Sequence, residues 1–357
     1  MGLYSKNIKF EQLVILFPFF LLKDAGWASS SWPVPRPVFC ERELAPLGSV
    51  LLMSRVELLA ADVYFLWKTF CRGASMSIRK NALLLFSKVP APGKVKTRLS
   101  VLKDGILAPE WASHLYQCML FDVVECCCDC VERMEVQQDA DGTKNTYDII
   151  ISSPGFDQEL AMRQLFADNE PFSRSITFIH DIGNSFDEHY NDAFQKVWAK
   201  GYDTILSMGC DMPALTHDVI EMGFHHLHEL CQSTRGGVVV SPDQEMGVSI
   251  VGWPRQTRFD HTGVFYNQSG LTVLPAYTRK CQGLSLPMRY IPVMPDVDTV
   301  ADLQHNITLL ESIAYAAQFQ DDLTCPKRTL EALEEYGLTD VRVHPNDLMD
   351  PRGEIDG

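Results

Sequence analysis

Short apolar runs alternate with longer amphipathic stretches from about residue 81 onward, and this alternation predicts a mostly parallel α/β sheet. A short, wholly apolar run is typical of a strand that is buried on both faces. The predicted strands are Ala82–Phe86, Tyr147–Ile151, Ile176–Ile179, Thr204–Met208 and Val238–Val240. The predicted helices between them are Pro109–Met134, Gln158–Phe166, Phe186–Lys200 and Asp218–Cys231.

The regular alternation ends after the fifth predicted strand. Gly247–Trp253 and Arg289–Val293 are predicted strands, with no long helix between them. Thr299–Ala316 is predicted to be a closing helix, and Arg328–Tyr336 a helix in an otherwise weakly structured acidic tail. The expected segments are an N-terminal extension at residues 1–80, one folded domain at 81–316 and the tail at 317–357.

The predicted extension contains an apolar run, Leu13–Leu22, that could be a signal or organelle-targeting segment. The run is interrupted by Pro18 and is shorter than the roughly 20 residues that a stable membrane span needs. A poorly ordered extension or an extra packing helix is the alternative, and a membrane-associated scaffold is a weaker one. Val50–Phe70 could form an amphipathic helix. The expected localisation is cytoplasmic, or organellar if the run is a targeting peptide.

The composition is that of an ordinary globular protein, with 46% apolar and 22% charged residues. The formal net charge is −15 at pH 7. General nucleic-acid binders are usually basic, because neutralisation of phosphates supplies most of their affinity, so we expect no nucleic-acid partner. A single nucleotide is still compatible with this charge, because a cationic loop and a metal can offset its phosphates.

Four of the 11 cysteines are crowded into the predicted helix Pro109–Met134. Cys127 and Cys130 have C-x-x-C spacing, but no second matching pair follows. Because structural zinc normally has four converging ligands, buried core thiols are the favoured interpretation, and metal or redox use is the alternative.

A loop rich in proline, glycine and cations follows the first predicted strand, and we name Lys88–Leu99 the cationic loop. Ligands of open α/β sheets bind beyond the carboxyl ends of strands, and Gly93 allows the backbone to approach a ligand closely. The loop therefore favours binding of a diphosphate or triphosphate. A solvated basic loop is the alternative, because the spacing matches neither a Walker A loop nor a dinucleotide-binding loop. The cations are Lys88, Lys94, Lys96 and Arg98.

Carboxylates occupy three loop positions at which a metal or an acceptor could bind. Asp211 follows the fourth predicted strand, where a hard divalent cation needs carboxylate oxygens, although a helix cap is the alternative. Asp298, within Asp296–Thr299, could be a second metal ligand, a helix cap or both. Glu245 could orient an acceptor or act as a base, and a solvated turn carboxylate is the alternative.

Taken in order, these segments resemble a bacterial family of radical-SAM/selenodomain-associated, GT-A-like glycosyltransferases. The family begins with F-x-K-x-P-x-P-G-x-V-K-T-R-L, continues with a glycine-rich helix start and G-x-D-x-P-x-L, and ends with D-V-D-T-P-E-D-L. The resemblance covers residues 82–310, and the ordered set is more specific than any one motif. The matching segments are Phe86–Leu99, Gly183–Phe194, Gly209–Leu215 and Asp296–Leu303.

The resemblance implies a three-layer αβα GT-A fold, which is the nucleotide-diphospho-sugar transferase-like fold, around a mostly parallel sheet. The family is also similar to 2-phospho-lactate guanylyltransferases and molybdenum-cofactor nucleotidyltransferases. In those enzymes, aspartates near the positions of Asp211 and Asp298 hold magnesium. The resemblance therefore implies Mg²⁺ or Mn²⁺ at these two aspartates. The residues implied for nucleotide binding are Lys88, Gly93, Lys96 and Arg98.

Three departures from the family pattern concern the later part of the domain. The family segment D-G-G-Y is Glu245–Val248 here, a family tryptophan is replaced by Tyr266, and Val300 replaces a proline. The first two changes bear on the identity of the acceptor and on activity. They leave the expected phosphate and metal positions unchanged.

The preferred hypothesis is a metal-dependent transferase that uses a nucleotide or nucleotide-sugar and a small-molecule acceptor. Asp211 and Glu245 are its candidate catalytic residues. Nucleotidyl transfer, with release of pyrophosphate, uses the same nucleotide half-site and is the first alternative. A nucleotide-binding module without catalysis is the second. The sequence does not predict an oligomeric state.

Overall fold

Seven strands form one sheet in the part of the chain that the structure describes, which is residues 78–136, 142–169 and 171–339 of a computed structural model. The strands are β1 (Ile78–Phe86), β2 (Lys144–Pro154), β3 (Ile176–Asp181), β4 (Thr204–Gly209), β5 (Val238–Pro242), β6 (Val248–Pro254) and β7 (Met288–Tyr290). Their order across the sheet is β3-β2-β1-β4-β6-β5-β7. β6 runs antiparallel to β4 and β5, and the other neighbours are parallel. The predicted mostly parallel sheet is therefore confirmed.

Helices connect the strands of the first half of the domain, as the hydrophobic pattern predicts. The α-helices of the described residues are α1 (Pro109–Val136), α2 (Phe156–Ala167), α3 (Phe186–Ala199), α4 (His217–Cys231), α5 (Val273–Leu284), α6 (Val300–Ala316) and α7 (Lys327–Glu335). α6 and α7 confirm the two helices that the sequence predicts after the last strand.

One helix contradicts the expectation for the region after the fifth strand. α5 lies between β6 and β7, where we predict no long helix, and it has 12 residues. Pro275 is in its first turn, where backbone N–H groups have no acceptor within the helix, so the proline is tolerated. Tyr277 and Cys281 are buried against the sheet. Tertiary packing of this face stabilises a helix that the sequence interpretation missed.

Alternate side chains of β1 enter two separate cores, which gives the domain three layers. Leu83 and Leu85 pack with α1 and α4 on one face of the sheet. Ala82 and Leu84 pack with α3 and α5 on the other face. Because successive side chains of a strand point to opposite faces, a strand between two helix layers must be apolar throughout. This αβα arrangement is the one that the family resemblance implies.

A third apolar cluster lies beneath the cationic loop. It joins Val95 and Leu99 of the loop to Val297, the first half of α1, α6 and α7. Asp122 of α1 holds α7, because its Oδ2 accepts a hydrogen bond from the Thr329 N–H at 2.7 Å. The cluster therefore anchors the cationic loop beside the segment that contains Val297.

The crowded cysteines of α1 are free thiols in the core. All four are at most 3% exposed. Burial raises the pKa of each thiol. Because metal binding and redox chemistry use the thiolate, these positions fit the core-thiol interpretation. They are Cys126, Cys127, Cys128 and Cys130.

The predictions for the N-terminal extension lie outside the described residues. Leu13–Leu22 and Val50–Phe70 therefore remain sequence predictions, as does the localisation that depends on them. Among the helices of the described ranges, none has the length and apolar character that crossing a membrane requires.

Candidate active site

The carboxyl ends of β1 to β4 open into one cavity of about 750 Å³. Two groups of lining residues differ in chemistry, and we name them the charged wall and the aromatic wall. The charged wall consists of Lys88, Lys94, Lys96, Arg98, Asp211, Asp296 and Asp298. The aromatic wall consists of Phe86, Phe186, Tyr190 and Phe265, with Val248 and Val273 beside them.

The cationic loop leaves β1 and bends through two residues with left-handed backbone geometry. Gly93 has φ +71° and Lys96 has φ +45°. Glycine adopts this region freely, whereas lysine adopts it rarely and only where its surroundings require it. Burial of Val95 and Leu99, and a hydrogen bond from the Leu99 N–H to the Lys96 carbonyl at 3.0 Å, hold the turn. Gly93 does not line the cavity, so its contribution is to the shape of the loop.

Lys96 joins two carboxylates that are far apart in sequence. Its Nζ is 2.7 Å from Asp211 Oδ2 and 2.8 Å from Asp298 Oδ1, and its side chain is 6% exposed. Burial opposes the charge, but the two carboxylates outweigh burial and raise the pKa of Lys96, so the ammonium stays protonated. Arg98 adds a more exposed contact, with Nη1 at 3.2 Å from Asp298 Oδ2. The structure therefore brings together the cations and both aspartates that the sequence selects.

Backbone contacts place the two aspartates side by side. The Val297 N–H donates to the Asp211 carbonyl at 2.9 Å, which joins the loop after β4 to the segment before α6. Gly209 leaves room for the carboxylate, because a Cβ at this position would lie 2.6 Å from Asp211 Oδ1. Steric room for the Asp211 carboxylate is thus a physical reason for glycine at position 209.

Asp296 is a third carboxylate of the cluster, and the sequence interpretation did not assign it a role. Ligand oxygens of Asp211, Asp296 and Asp298 all lie within 4.8 Å of one another. Burial, together with the charges of the two other aspartates, raises the pKa of Asp296 to about 7. Three converging carboxylates fit a hard divalent cation such as Mg²⁺ or Mn²⁺, which would relieve their mutual repulsion. Asp296 could have been selected from sequence, because it lies two residues before Asp298.

Neighbouring polar groups hold the segment before α6 in place. Thr299 caps α6, and its hydroxyl and N–H both bond Asp302 Oδ2, at 2.8 and 2.7 Å. Gln244 Nε2 donates to Asp296 Oδ1 and to Asp302 Oδ1, each at 2.9 Å. Because Thr299 is the cap, Asp298 is left to face the cavity, and Asp302 is a buried supporting residue.

Glu245 lies in a turn whose cavity-facing carboxylate is Asp243. Asp243 Oδ1 accepts from the N–H groups of Glu245 and Gly247, each at 2.7 Å. Asp243 and Gly247 line the cavity, and Glu245 does not. The structure thus places Glu245 at the edge of the site, and its proposed role with the acceptor stays a prediction.

A second polar group in the cavity, at the ends of β2 and β3, was missed from sequence. Asp181 is 3% exposed. Its Oδ2 accepts from the Ser152 hydroxyl at 2.6 Å, and its Oδ1 is 2.6 Å from His189 Nδ1. All three residues line the cavity. Because Asp181 ends a parallel strand, the carboxyl-end rule could have selected it.

Ring contacts join the members of the aromatic wall. Phe86 stacks on Tyr190 with centroids 3.8 Å apart, and Phe186 contacts Tyr190 and Phe265 at 5.1 and 4.8 Å. Tyr266, which stands where the resembled family has tryptophan, is 92% exposed and does not line the cavity. The wall therefore offers apolar faces to a planar or apolar part of a ligand.

The histidines of α4 lie outside this cavity. His228 Nε2 bonds Asn81 Oδ1 at 3.0 Å, whereas His225 and His226 contact Glu229 on the surface. Glu229 also pairs with Arg289 at 3.4 Å. His228 is thus a packing residue, and His225 and His226 belong to surface ion pairs.

One family model matches part of the chain. Residues 139–268, less than half of the chain, match the model of a family described as an uncharacterized protein conserved in bacteria (DUF2064). The match includes Asp211 but neither the cationic loop nor Asp298. No curated protein matches the chain.

One solved structure is similar enough to show the fold, and two others are less similar. A candidate nucleotide-diphospho-sugar transferase from Desulfovibrio desulfuricans G20 has a TM-score of 0.55 and 21% identity, over 72% of this chain and 96% of that one. A cytidylyltransferase from Leptospira borgpetersenii has a TM-score of 0.36 and 10% identity, over 76% and 99%. A protein from Mycobacterium tuberculosis H37Rv, solved in complex with manganese, has a TM-score of 0.30 and 16% identity, over 66% of this chain and 99% of that one. The first of these likenesses shows that the domain has the nucleotide-diphospho-sugar transferase fold.

Proposed function

We propose that the protein is a metal-dependent GT-A-like transferase whose donor is a nucleotide-sugar. The charged wall carries the proposal, because it combines cations and converging carboxylates in one cavity. A nucleoside diphosphate group would use both, since cations can bind its phosphates and carboxylates could hold a divalent metal beside them. The motif resemblance to the radical-SAM/selenodomain-associated glycosyltransferases supports the same class.

The cationic loop would bind the donor phosphates. Lys96 and Arg98 present cations beside the carboxylates, and Lys88 lines the same cavity. The turn that Gly93 forms would keep these cations in one orientation before the donor arrives. Catalysis would then depend mainly on positioning and on stabilisation of developing charge.

Asp211 and Asp298 would hold Mg²⁺ or Mn²⁺, with Asp296 as a further ligand. When bound, the metal would stabilise the negative charge of the leaving nucleoside diphosphate. Glu245 is retained as the candidate for acceptor activation, because its turn borders the cavity through Asp243 and Gly247.

The distribution of cations favours glycosyl transfer over nucleotidyl transfer. Among the described residues that line the cavity, every lysine and arginine belongs to the cationic loop. One polyanionic ligand suits this arrangement. A nucleotidyltransferase with a phosphorylated acceptor would need a second group of cations for the acceptor phosphate.

A donor panel tests the proposal. The protein would be incubated with nucleotide-sugars, or with nucleoside triphosphates and phosphorylated acceptors, in the presence of Mn²⁺. Release of nucleoside diphosphate supports glycosyl transfer, and release of pyrophosphate supports the nucleotidyltransferase alternative. Metal-dependent binding without turnover across the panel would support the non-catalytic alternative, which the altered Glu245–Val248 segment motivates.

A further inference from the structure

The ammonium of Lys96 lies where a divalent cation would bind the charged wall. It contacts one oxygen of Asp211 at 2.7 Å and one oxygen of Asp298 at 2.8 Å. The same two carboxylates belong to the group whose oxygens converge within 4.8 Å. Lys96 is therefore the counter-ion of two of the three carboxylates that could hold a metal.

The position of Lys96 is built into the loop. Its backbone has φ +45°, which an L-residue seldom adopts without support. Val95 and Leu99 on either side are buried in the apolar cluster beneath the loop, so the turn is held from below. The Tyr116 ring, with its centroid 5.7 Å from Nζ, borders the ammonium as well. The surroundings thus direct one cation, rather than a solvated side chain, onto the carboxylates.

Two cations cannot use these oxygens together. Mg²⁺ binds carboxylate oxygens at about 2.0–2.1 Å, so a metal bound to the same oxygens would lie within a few ångströms of the ammonium. Coulomb repulsion at such a separation is large inside a protein. A metal bound to these two oxygens would therefore displace the ammonium from at least one aspartate, and the displaced ammonium would need a new anion. A donor phosphate in the same cavity would supply one.

We propose that Lys96 takes the place of the metal in the ligand-free protein, so that divalent metal and phosphate bind more tightly together than either binds alone. This inference rests on the proposed metal-dependent function. Linkage makes the coupling reciprocal: phosphate that takes up the ammonium raises the metal affinity, and metal that releases the ammonium raises the phosphate affinity.

Titration of Mn²⁺ alone, followed by calorimetry and by the Mn²⁺ electron paramagnetic resonance signal, tests the proposal. Lys96→Met should bind Mn²⁺ at least about fivefold more tightly than the wild type, since couplings of this kind reach 5–150-fold. Lys94→Met is the matched control, because Lys94 lines the same cavity and carries the same charge two residues away. Its effect reports the general loss of positive charge and should be smaller.

A second variant covers the risk that Lys96→Met does not fold. Lys96→Gln removes the charge and keeps a polar group beside the carboxylates, and circular dichroism would verify its fold. In thermal melting, Mn²⁺ should raise the melting temperature of either Lys96 variant more than that of the wild type. The extra shift is expected because metal binding replaces the counter-ion that the carboxylates lose with the Lys96 ammonium.

The outcomes separate this inference from the proposed function. Tighter Mn²⁺ binding by Lys96→Met that is lost in Lys96→Met/Asp211→Asn supports the proposed exchange, in which the metal replaces the Lys96 ammonium at the carboxylates. If the wild type binds Mn²⁺ and Lys96→Met binds it no more tightly than Lys94→Met, the exchange is overturned and the metal site stands. If neither the wild type nor the folded Lys96 variants bind Mn²⁺, the exchange and the proposed metal-dependent function are both overturned.

Discussion

The two walls of the cavity are built by different means. The charged wall joins loops that are remote in sequence through ion pairs and backbone hydrogen bonds, such as Lys96 to Asp298 at 2.8 Å. The aromatic wall is a set of packed rings, such as Phe86 on Tyr190 at 3.8 Å, with no lysine or arginine among the residues that form it. The two walls would suit a ligand with one polyanionic end and one planar or apolar part, and would hold it in one orientation.

The largest expected effect is on the charged wall. Asp211→Ala should lower Mn²⁺ affinity by more than about a hundredfold, because even outer partners of metal ligands contribute 10–100-fold and Asp211 would be a direct ligand. Calorimetry measures the affinity, and circular dichroism verifies the fold. Asp218→Ala is the control, since Asp218 is an exposed acid of α4 outside the cavity. Unchanged Mn²⁺ binding by Asp211→Ala would remove Asp211 from the metal site.

The pH dependence of stability in EDTA tests the crowding of charge on the same wall. The pKa of Asp296 is raised to about 7, against about 3.9 in an unfolded chain. Between these values the folded protein binds more protons, so its stability falls as pH rises, by at most about 1.4 kcal/mol per pH unit.

Asp296→Asn should remove this part of the slope between pH 5 and pH 7, as measured by urea denaturation. Equal slopes in the wild type and the variant would show that Asp296 is not protonated in the free protein.

Arg98→Ala should weaken phosphate binding and leave the aromatic wall intact. We expect a loss of about 1.5–3 kcal/mol in the binding of nucleoside diphosphates with Mn²⁺, the scale of a hydrogen bond to a charged group. Calorimetry with UDP and GDP provides the measurement. Lys103→Ala is the control, because Lys103 is an exposed cation just beyond the cationic loop that does not line the cavity. An unaltered dissociation constant would remove Arg98 from the phosphate site.

The smallest expected effect concerns the aromatic wall. Phe186→Ala should weaken binding of a complete nucleotide-sugar by about 1 kcal/mol, the scale of an aromatic contact, and leave Mn²⁺ affinity unchanged. Phe156→Ala is a close control, since Phe156 begins α2 as Phe186 begins α3 but does not line the cavity. A loss of Mn²⁺ affinity in Phe186→Ala would contradict the division into two walls.

Much of the fold could be predicted because its strands are locally marked. β1 and β4 are wholly buried in their centres, so their sequences are apolar runs that identify them without knowledge of their neighbours. α5 has no such apolar run, and the burial of Tyr277 against the sheet is a tertiary contact that the run pattern does not show. The antiparallel direction of β6 depends on non-local pairing with β4 and β5.

The candidate site also has residues that the sequence could select and residues that it could not. Asp211 and the cationic loop could be selected from sequence, because each directly follows a predicted strand. Asp181 and His189 were missed, although Asp181 ends β3, because the predicted strand stopped at Ile179. Asp243, rather than Glu245, faces the cavity because its carboxylate accepts two N–H groups of its own turn.

The sequence alone determined three features, because they are properties of neighbouring residues. These are the apolar strands, the clustering of cations after β1 and the aspartates at the ends of later segments. Only the tertiary structure decided that Lys96 lies between two carboxylates that are 115 and 202 residues away along the chain. The same applies to the raised pKa of Asp296, which is caused by burial and by the charges of Asp211 and Asp298. Distances and burial between remote segments depend on the packing of the whole domain, and no local pattern encodes them.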